Sequence, residues 1–199
     1  MDLVSELKLT NVIEGIGDVA AFGNYAYLNK YSPECLSNGG SGTGVHVVDI
    51  SNPRRPAKVA EIPSEPNSYQ GEGVHVVRAD TPFFSGDILI HNNETCNATQ
   101  PVISGASLWD VTNPRNPQPL SPHFGDTTPA VPGQTYHTTH SAQLFVQRDV
   151  LPRGKDRVIA TLQDNEDLKD VDIFDVSNPR APVLLAEVGL EDWPQAQGS

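Results

Sequence analysis

Histidines and carboxylates are the side chains of this chain best suited to metal or acid–base chemistry, and several recur in matching surroundings. Tyr136-His137-Thr138-Thr139-His140 stands just before the apolar run SAQLFV. GEGVHVV (71–77) supplies Glu72 and His75 at a comparable place, and Asp18 opens another apolar run, DVAAF. If such runs are the first strands of neighbouring sheets around a channel, then Asp18, Glu72, His75, His137 and His140 gather near one mouth of it. Imidazole and carboxylate together suit a transition metal. The spacing argues the other way. His-x-x-His is not the four-residue step that sets two ligands on one helical face, and on a strand residues three apart point to opposite sides. Alternatively, each histidine bonds the backbone of the next sheet and narrows the channel.

A second oxygen-rich stretch, Asp164-Asn165-Glu166-Asp167 followed by Asp170 and Asp172, has a counterpart in Asn92-Asn93-Glu94. Oxygen-rich loops suit calcium, but neither stretch has the central glycine and terminal glutamate of an EF-hand loop. Asn93-Glu94-Thr95 and Asn97-Ala98-Thr99 also fit the short N-glycosylation pattern. Nucleophilic catalysis has no framework: there is no Gly-x-Ser-x-Gly elbow. SNGGSGTG (37–44) lacks the lysine of a phosphate-binding loop.

The elements that must position these groups announce themselves in VHVVDISNPRRP (45–56), SLWDVTNPRNP (107–117) and DIFDVSNPRAP (172–182). Val45, Val47 and Val48 favour an extended chain. Asp49 and Ser51 can bond nearby amides and turn it. Asn52 is kept out of the helical region by Pro53, which also removes a ladder donor. Asp110, Asn113 and Pro114, then Asp175, Asn178 and Pro179, repeat the device after 61 and 65 positions. Each copy reads strand, Asx-Pro turn, strand, and two further strand candidates precede each: DVAAF and YAYLN, VHVVRA and DILIHN, SAQLFV and RVIATLQ. Repeated units of four antiparallel strands mark a β-propeller. The expected fold is all-β, a propeller segment of three four-stranded antiparallel blades at 16–63, 72–124 and 137–189. SELKLTN, within 3–12, is expected to be a clasp strand completing a neighbouring blade.

GNYAYL (23–28) together with the three proline-stopped strands resembles the LVIVD repeat of bacterial secreted or surface β-propellers. The resemblance spans roughly residues 12–190 and implies the fold and an extracellular or cell-surface address, but no reaction. Three blades leave two apolar faces open, so the remaining blades of a longer chain, or a second copy, are expected to close the ring. Cys35 and Cys96 each fall 14 positions before the aspartate of their unit. Equivalent loops of adjacent blades emerge on one side, so the two thiols could form a disulfide, in line with an oxidising compartment. Two unpaired thiols or half a metal site are the alternatives.

Charge narrows the partners. With 13 Lys+Arg against 25 Asp+Glu, the net charge is −12, which repels phosphate backbones and anionic membranes. No apolar run reaches the roughly 20 residues of a membrane-spanning helix. The favoured function is a binding or scaffold module for an unknown protein or extracellular polymer ligand, using the long loops and the channel mouth. A metal-dependent propeller enzyme built on the channel-mouth histidines is the alternative. A hydrolase of an extracellular polymer has only analogy of fold behind it.

Overall fold

The computed structural model describes residues 2–11, 15–31, 44–65, 68–95, 105–125, 139–163 and 170–189. Among these the fold is all-β, with no helix. Strands β1 (Ile16–Phe22), β2 (Tyr25–Lys30), β3 (Gly44–Asp49) and β4 (Ala57–Pro63) form the first sheet in that order. β5 (Ser68–Tyr69) and β8 (Glu94–Thr95) make a two-residue ladder of their own. Between and after them, β6 (His75–Asp80), β7 (Ser85–Asn92), β9 (Ala106–Asp110) and β10 (Gln118–Phe124) form the second sheet. The third consists of β11 (Ser141–Leu151), β12 (Lys155–Gln163), β13 (Asp170–Asp175) and β14 (Val183–Gly189). All the pairings are antiparallel.

The turn between the third and fourth strands of each sheet is the same object three times. Asp49 Oδ1 accepts the Ser51 amide at 2.9 Å, and Asn52 Oδ1 accepts the Arg54 amide at 3.1 Å. The corresponding bonds run from Thr112 to Asp110 and from Arg115 to Asn113. In the third copy they run from Ser177 to Asp175 and from Arg180 to Asn178. A backbone bond closes each turn, from Arg55 to Asn52, Asn116 to Asn113 and Ala181 to Asn178, each at 2.9 Å. The side chains thus satisfy amides that the prolines leave outside the ladder.

Neighbouring sheets approach most closely at their inner strands. β1 lies near β6, while β11 lies near β6 and β7. Sheets that meet at their first strands and diverge toward their fourth stand around a common axis, as propeller blades do. Two apolar clusters fill the joints. Tyr27, Val45, Val47 and Ile62 meet Val74, Val76, Leu89 and Val111 between the first and second sheets. Ile88, Ile90, Leu108 and Phe124 meet Leu144, Val158, Leu162 and Phe174 between the second and third. The middle sheet is therefore covered on both faces, and its β7 is almost continuously buried. The faces turned away from it are open, with Val19 58% exposed on one side and Phe145 50% on the other.

One expected element finds no partner strand among the described residues. Residues 2–11 contain no strand. A strand exists only through ladder bonds to a neighbour, and none of the described strands pairs with this stretch. Instead Ser5 Oγ donates to the Pro53 carbonyl at 2.5 Å, and Leu3 and Val4 are exposed. The hairpin of the third sheet runs further than SAQLFV suggests, because β11 extends to Leu151 past a register shift. Asp149 and Arg153 there adopt positive φ, 56° and 67°. Asp156, buried beneath the hairpin, accepts from the Asp149 amide, the Arg148 guanidinium and the Asp80 amide of the second sheet.

Candidate functional site

The second strand of each sheet carries a carboxamide at or one residue before its end, in the same register. Asn29 pairs with Val45, Asn92 with Ala106 and Gln163 with Val171, each partner four residues before the turn aspartate. The first two carboxamides reach across to the next sheet. Asn29 Nδ2 donates to the Gly71 carbonyl at 3.2 Å. Asn92 Nδ2 donates to the Thr139 and His140 carbonyls at 3.0 and 2.7 Å. Both asparagines are fully buried, and their oxygens have no protein donor. Since every partner of each Nδ2 is an oxygen, the orientation of the amide is fixed.

Around these latches the chain gathers a polar cluster at one end of the sheets. The β5–β8 ladder sets Tyr69 opposite Glu94, and the Tyr69 hydroxyl donates to Glu94 Oε2 at 2.6 Å. Asn92 Nδ2 donates to Glu94 Oε1 at 3.1 Å. His140 stands between two carboxylates, with Nδ1 3.4 Å from Glu94 Oε1 and Nε2 3.5 Å from Glu72 Oε2. Glu94 is 5% exposed, whereas the Glu72 side chain is largely open. Burial raises the Glu94 pKa, opposed by its bonds to Tyr69, His140 and Asn92. Glu94 Oε1 occupies the room that Gly71 leaves, where a Cβ would overlap it. Gln70, fully buried, donates to Asn93 Oδ1 at 3.3 Å and leaves its own oxygen without a donor. The Tyr31 ring meets that of Tyr69 edge-on, with centroids 5.4 Å apart.

Of the five side chains proposed for a metal, the structure brings together Glu72 and His140. Asp18 is used otherwise: its Oδ2 accepts the Gly73 and Val74 amides at 2.8 and 3.0 Å. His75 Nδ1 accepts the Leu144 amide at 3.1 Å, so that nitrogen is not free to bind a metal, and burial lowers the pKa of the ring. Both contacts have one physical cause, and the His75 bond is of the kind described by the alternative reading of the histidines. An inner strand leaves amides facing the next sheet, and a side chain that accepts them satisfies groups otherwise buried without partners. Among the described residues no three His, Cys, Asp or Glu side chains are grouped to hold a metal ion. His137, Cys35, Cys96 and the stretch 164–167 lie outside the described residues. Asn93 is buried and donates to Ser107 Oγ at 2.9 Å, so the folded chain does not offer it for glycosylation.

Sequence inspection picked out the Asn-Glu pair but not its use. Glu94, Tyr69, Gln70 and the two latch asparagines come from three separated stretches. Their one linear signal is a carboxamide whose strand partner lies four positions before the turn aspartate. His91 shows the opposite outcome. Its Nδ1 donates to the Asn92 carbonyl at 3.0 Å and its Nε2 accepts from Trp109 at 3.2 Å, so this buried ring is neutral and fully used.

With the turn bonds in place, the family comparison can be placed on the fold. The model of the LVIVD repeat matches residues 40–61 and 166–189. Two stretches of this chain are similar to the LVIVD repeat. The two matches fall on the strand–turn–strand units of the first and third sheets, and Ala106–Phe124 of the second carries the same turn bonds. No curated protein matches the chain.

Proposed function

We propose that this LVIVD-repeat chain is a non-enzymatic binding or scaffold module that works outside the cell and receives its ligand at the polar end of the sheets. The observation that carries this reading is the buried carboxamide and carboxylate cluster of Asn29, Gln70, Asn92 and Glu94, beside open Glu72. It presents acceptors in excess of donors on a frame of packed sheets. A ligand that fits is rich in donors or positively charged, in keeping with the net charge of −12. Asp18 and His75, two of the five groups a metal-dependent enzyme would use, are committed to backbone amides instead.

Amide-resolved NMR titration of the 199-residue chain tests the reading, with chitotetraose, cellotetraose and a lysine-rich decapeptide as probes. Shifts confined to Gly71, Asn93, Glu94 and His140 with any of these support it. No shift at those positions with any probe, or chemical turnover of a probe, overturns it.

A further inference from the structure

The two outer faces of the structure carry an inference separate from the polar end. We propose that a second copy of this chain closes the ring. The first sheet of each copy sits on the third sheet of the other, so that six sheets surround one axis.

The open face of the third sheet repeats faces that are already covered. Val45 and Val47 of β3, and Ala106 and Leu108 of β9, are wholly buried in the joint with the next sheet. Val171 and Ile173 hold the same register of β13, with Val171 opposite Gln163 as Val45 is opposite Asn29. Among the described residues no sheet covers them: Val171 is 36% exposed and Val183 58%.

The outer face of the first sheet matches from the other side. Val19 and Ala21 of β1 pair with the residues one and three before Asn29. Ala142 and Leu144 of β11 pair with those one and three before Gln163. The β11 pair is buried against the second sheet, whereas Val19 and Ala21 are open, on the strand through which sheets approach most closely. The charged groups of the two faces are already matched, Lys30 and Lys58 with Glu61 on one and Arg157 with Asp175 on the other. Apolar contact therefore meets no unpaired carboxylate from these groups, and burial of such surface drives association.

The polar contacts continue in the same register. His75 and Gln143 each pair with the residue two before the carboxamide, Ile90 and Thr161. His75 accepts the Leu144 amide of the next sheet. Gln143 is exposed and would accept the Ala21 amide of the second copy, which holds the place of Leu144. Asn92 donates to the two carbonyls directly before Ser141, the partner of Gln163. Gln163 would likewise donate to the carbonyls of Ile16 and Gly17, directly before Asp18, the partner of Asn29. Its oxygen accepts from the Ser141 hydroxyl at 3.3 Å, leaving the Nε2 end as the donor.

The number of sheets selects two copies. Propellers close with about four to eight blades, and six is the only multiple of three in that range. A joint of unlike faces is heterologous, and it gives a ring only where the repeats complete a turn. Two copies of three sheets meet that condition about a twofold axis.

Sedimentation equilibrium of the 199-residue chain reads the mass, and twice the 21.5 kDa of one chain is expected. Phe145→Asp and Val19→Asp lie on opposite faces. Each should weaken dimerisation at least tenfold, because each puts an unpaired charge into both joints. Mixing the two variants should restore a dimer through the one joint that then carries neither substitution. Phe83→Asp, at an exposed turn of the middle sheet, should leave the mass unchanged. If a variant fails to fold, judged by circular dichroism, Val183→Asp replaces Phe145→Asp and Ala21→Asp replaces Val19→Asp. A monomer up to about 100 μM, above the micromolar limit of specific interfaces, overturns the proposal. So does a larger assembly, a dimer that survives either substitution, or a mixture of the two variants that stays monomeric.

Discussion

The joint between the first and second sheets and the joint between the second and third use the same strands and differ in what fills them. Among the described residues eight buried apolar side chains form the first cluster and fourteen the second, so the second joint should contribute more to stability. The polar bonds follow the same order. Across the first joint run Asp18 to two amides, Asn29 to one carbonyl, and the exposed pair of Arg115 with Asp49. Across the second run Asn92 to two carbonyls, His75 to the Leu144 amide and Thr81 to the Ser177 carbonyl. The Asp80–Lys155 pair and the His140–carboxylate cluster add to it. A repeated sequence thus fixes which surfaces meet, while unrepeated side chains set how firmly they are held.

Truncation in the two clusters gives the largest contrast. Leu89 and Leu108 are both wholly buried, facing the first and second joints respectively. Leu108→Ala is expected near the top of the usual range of about 2–5 kcal/mol, and Leu89→Ala near the bottom, because the larger cluster has less freedom to collapse. Urea unfolding measures both, and the reverse order would break the comparison.

Acid provides the next contrast. The His91 pKa is lowered to about 4 by burial. The unfolded chain takes up this proton near pH 6.5 and the folded chain only near 4, so stability is complete above about 6.5 and falls across that window. Roughly 3 kcal/mol is at stake. In the variant His91→Gln the slope of unfolding free energy between pH 6.5 and 4 should flatten. Glu61, held down to about pH 2 against the cost of burial by bonds to Lys30 and Lys58, acts lower, losing its contribution between about pH 4.5 and 2.

Smaller effects sharpen the view of the latches. The two N–H groups of Asn92 are shared among three acceptors, whereas Asn29 serves one. Asn92→Ala is expected to cost about 2–3 kcal/mol and Asn29→Ala about 1, since buried acceptors are left unmatched in proportion. Arg115→Ala removes an exposed pair and should cost less than about 1 kcal/mol. Thermal unfolding of the three variants would establish the ranking.

The parts legible in the sequence were those encoded by neighbours along the chain. Asp49, Asn52 and Pro53 act on amides two or three positions away, so the turn and the strands it separates could be read directly, three times over. The cross-sheet role of Asp18 was not legible as such, and that of His75 was only one of two readings its surroundings left open. An acceptor at the start of an inner strand looks the same whether it will meet an amide 55 residues on, as Asp18 meets Gly73, or a metal. Glu94 was hidden for another reason: its partners Tyr69 and His140 arrive through a two-residue ladder and a segment from the next sheet. The stretch 2–11 shows what one segment alone leaves open. Its composition suits a strand, but a strand is a property of two segments and this one has no partner ladder among the described residues.

Amide hydrogen exchange at Gly73, Val74 and Leu144 tests most directly whether the sheets are held side by side by these side chains. The expected result is slow exchange at all three in the unmodified chain, with Asp18→Ala speeding Gly73 and Val74 alone and His75→Ala speeding Leu144 alone. Fast exchange in the unmodified chain, or no response to either substitution, would contradict the account.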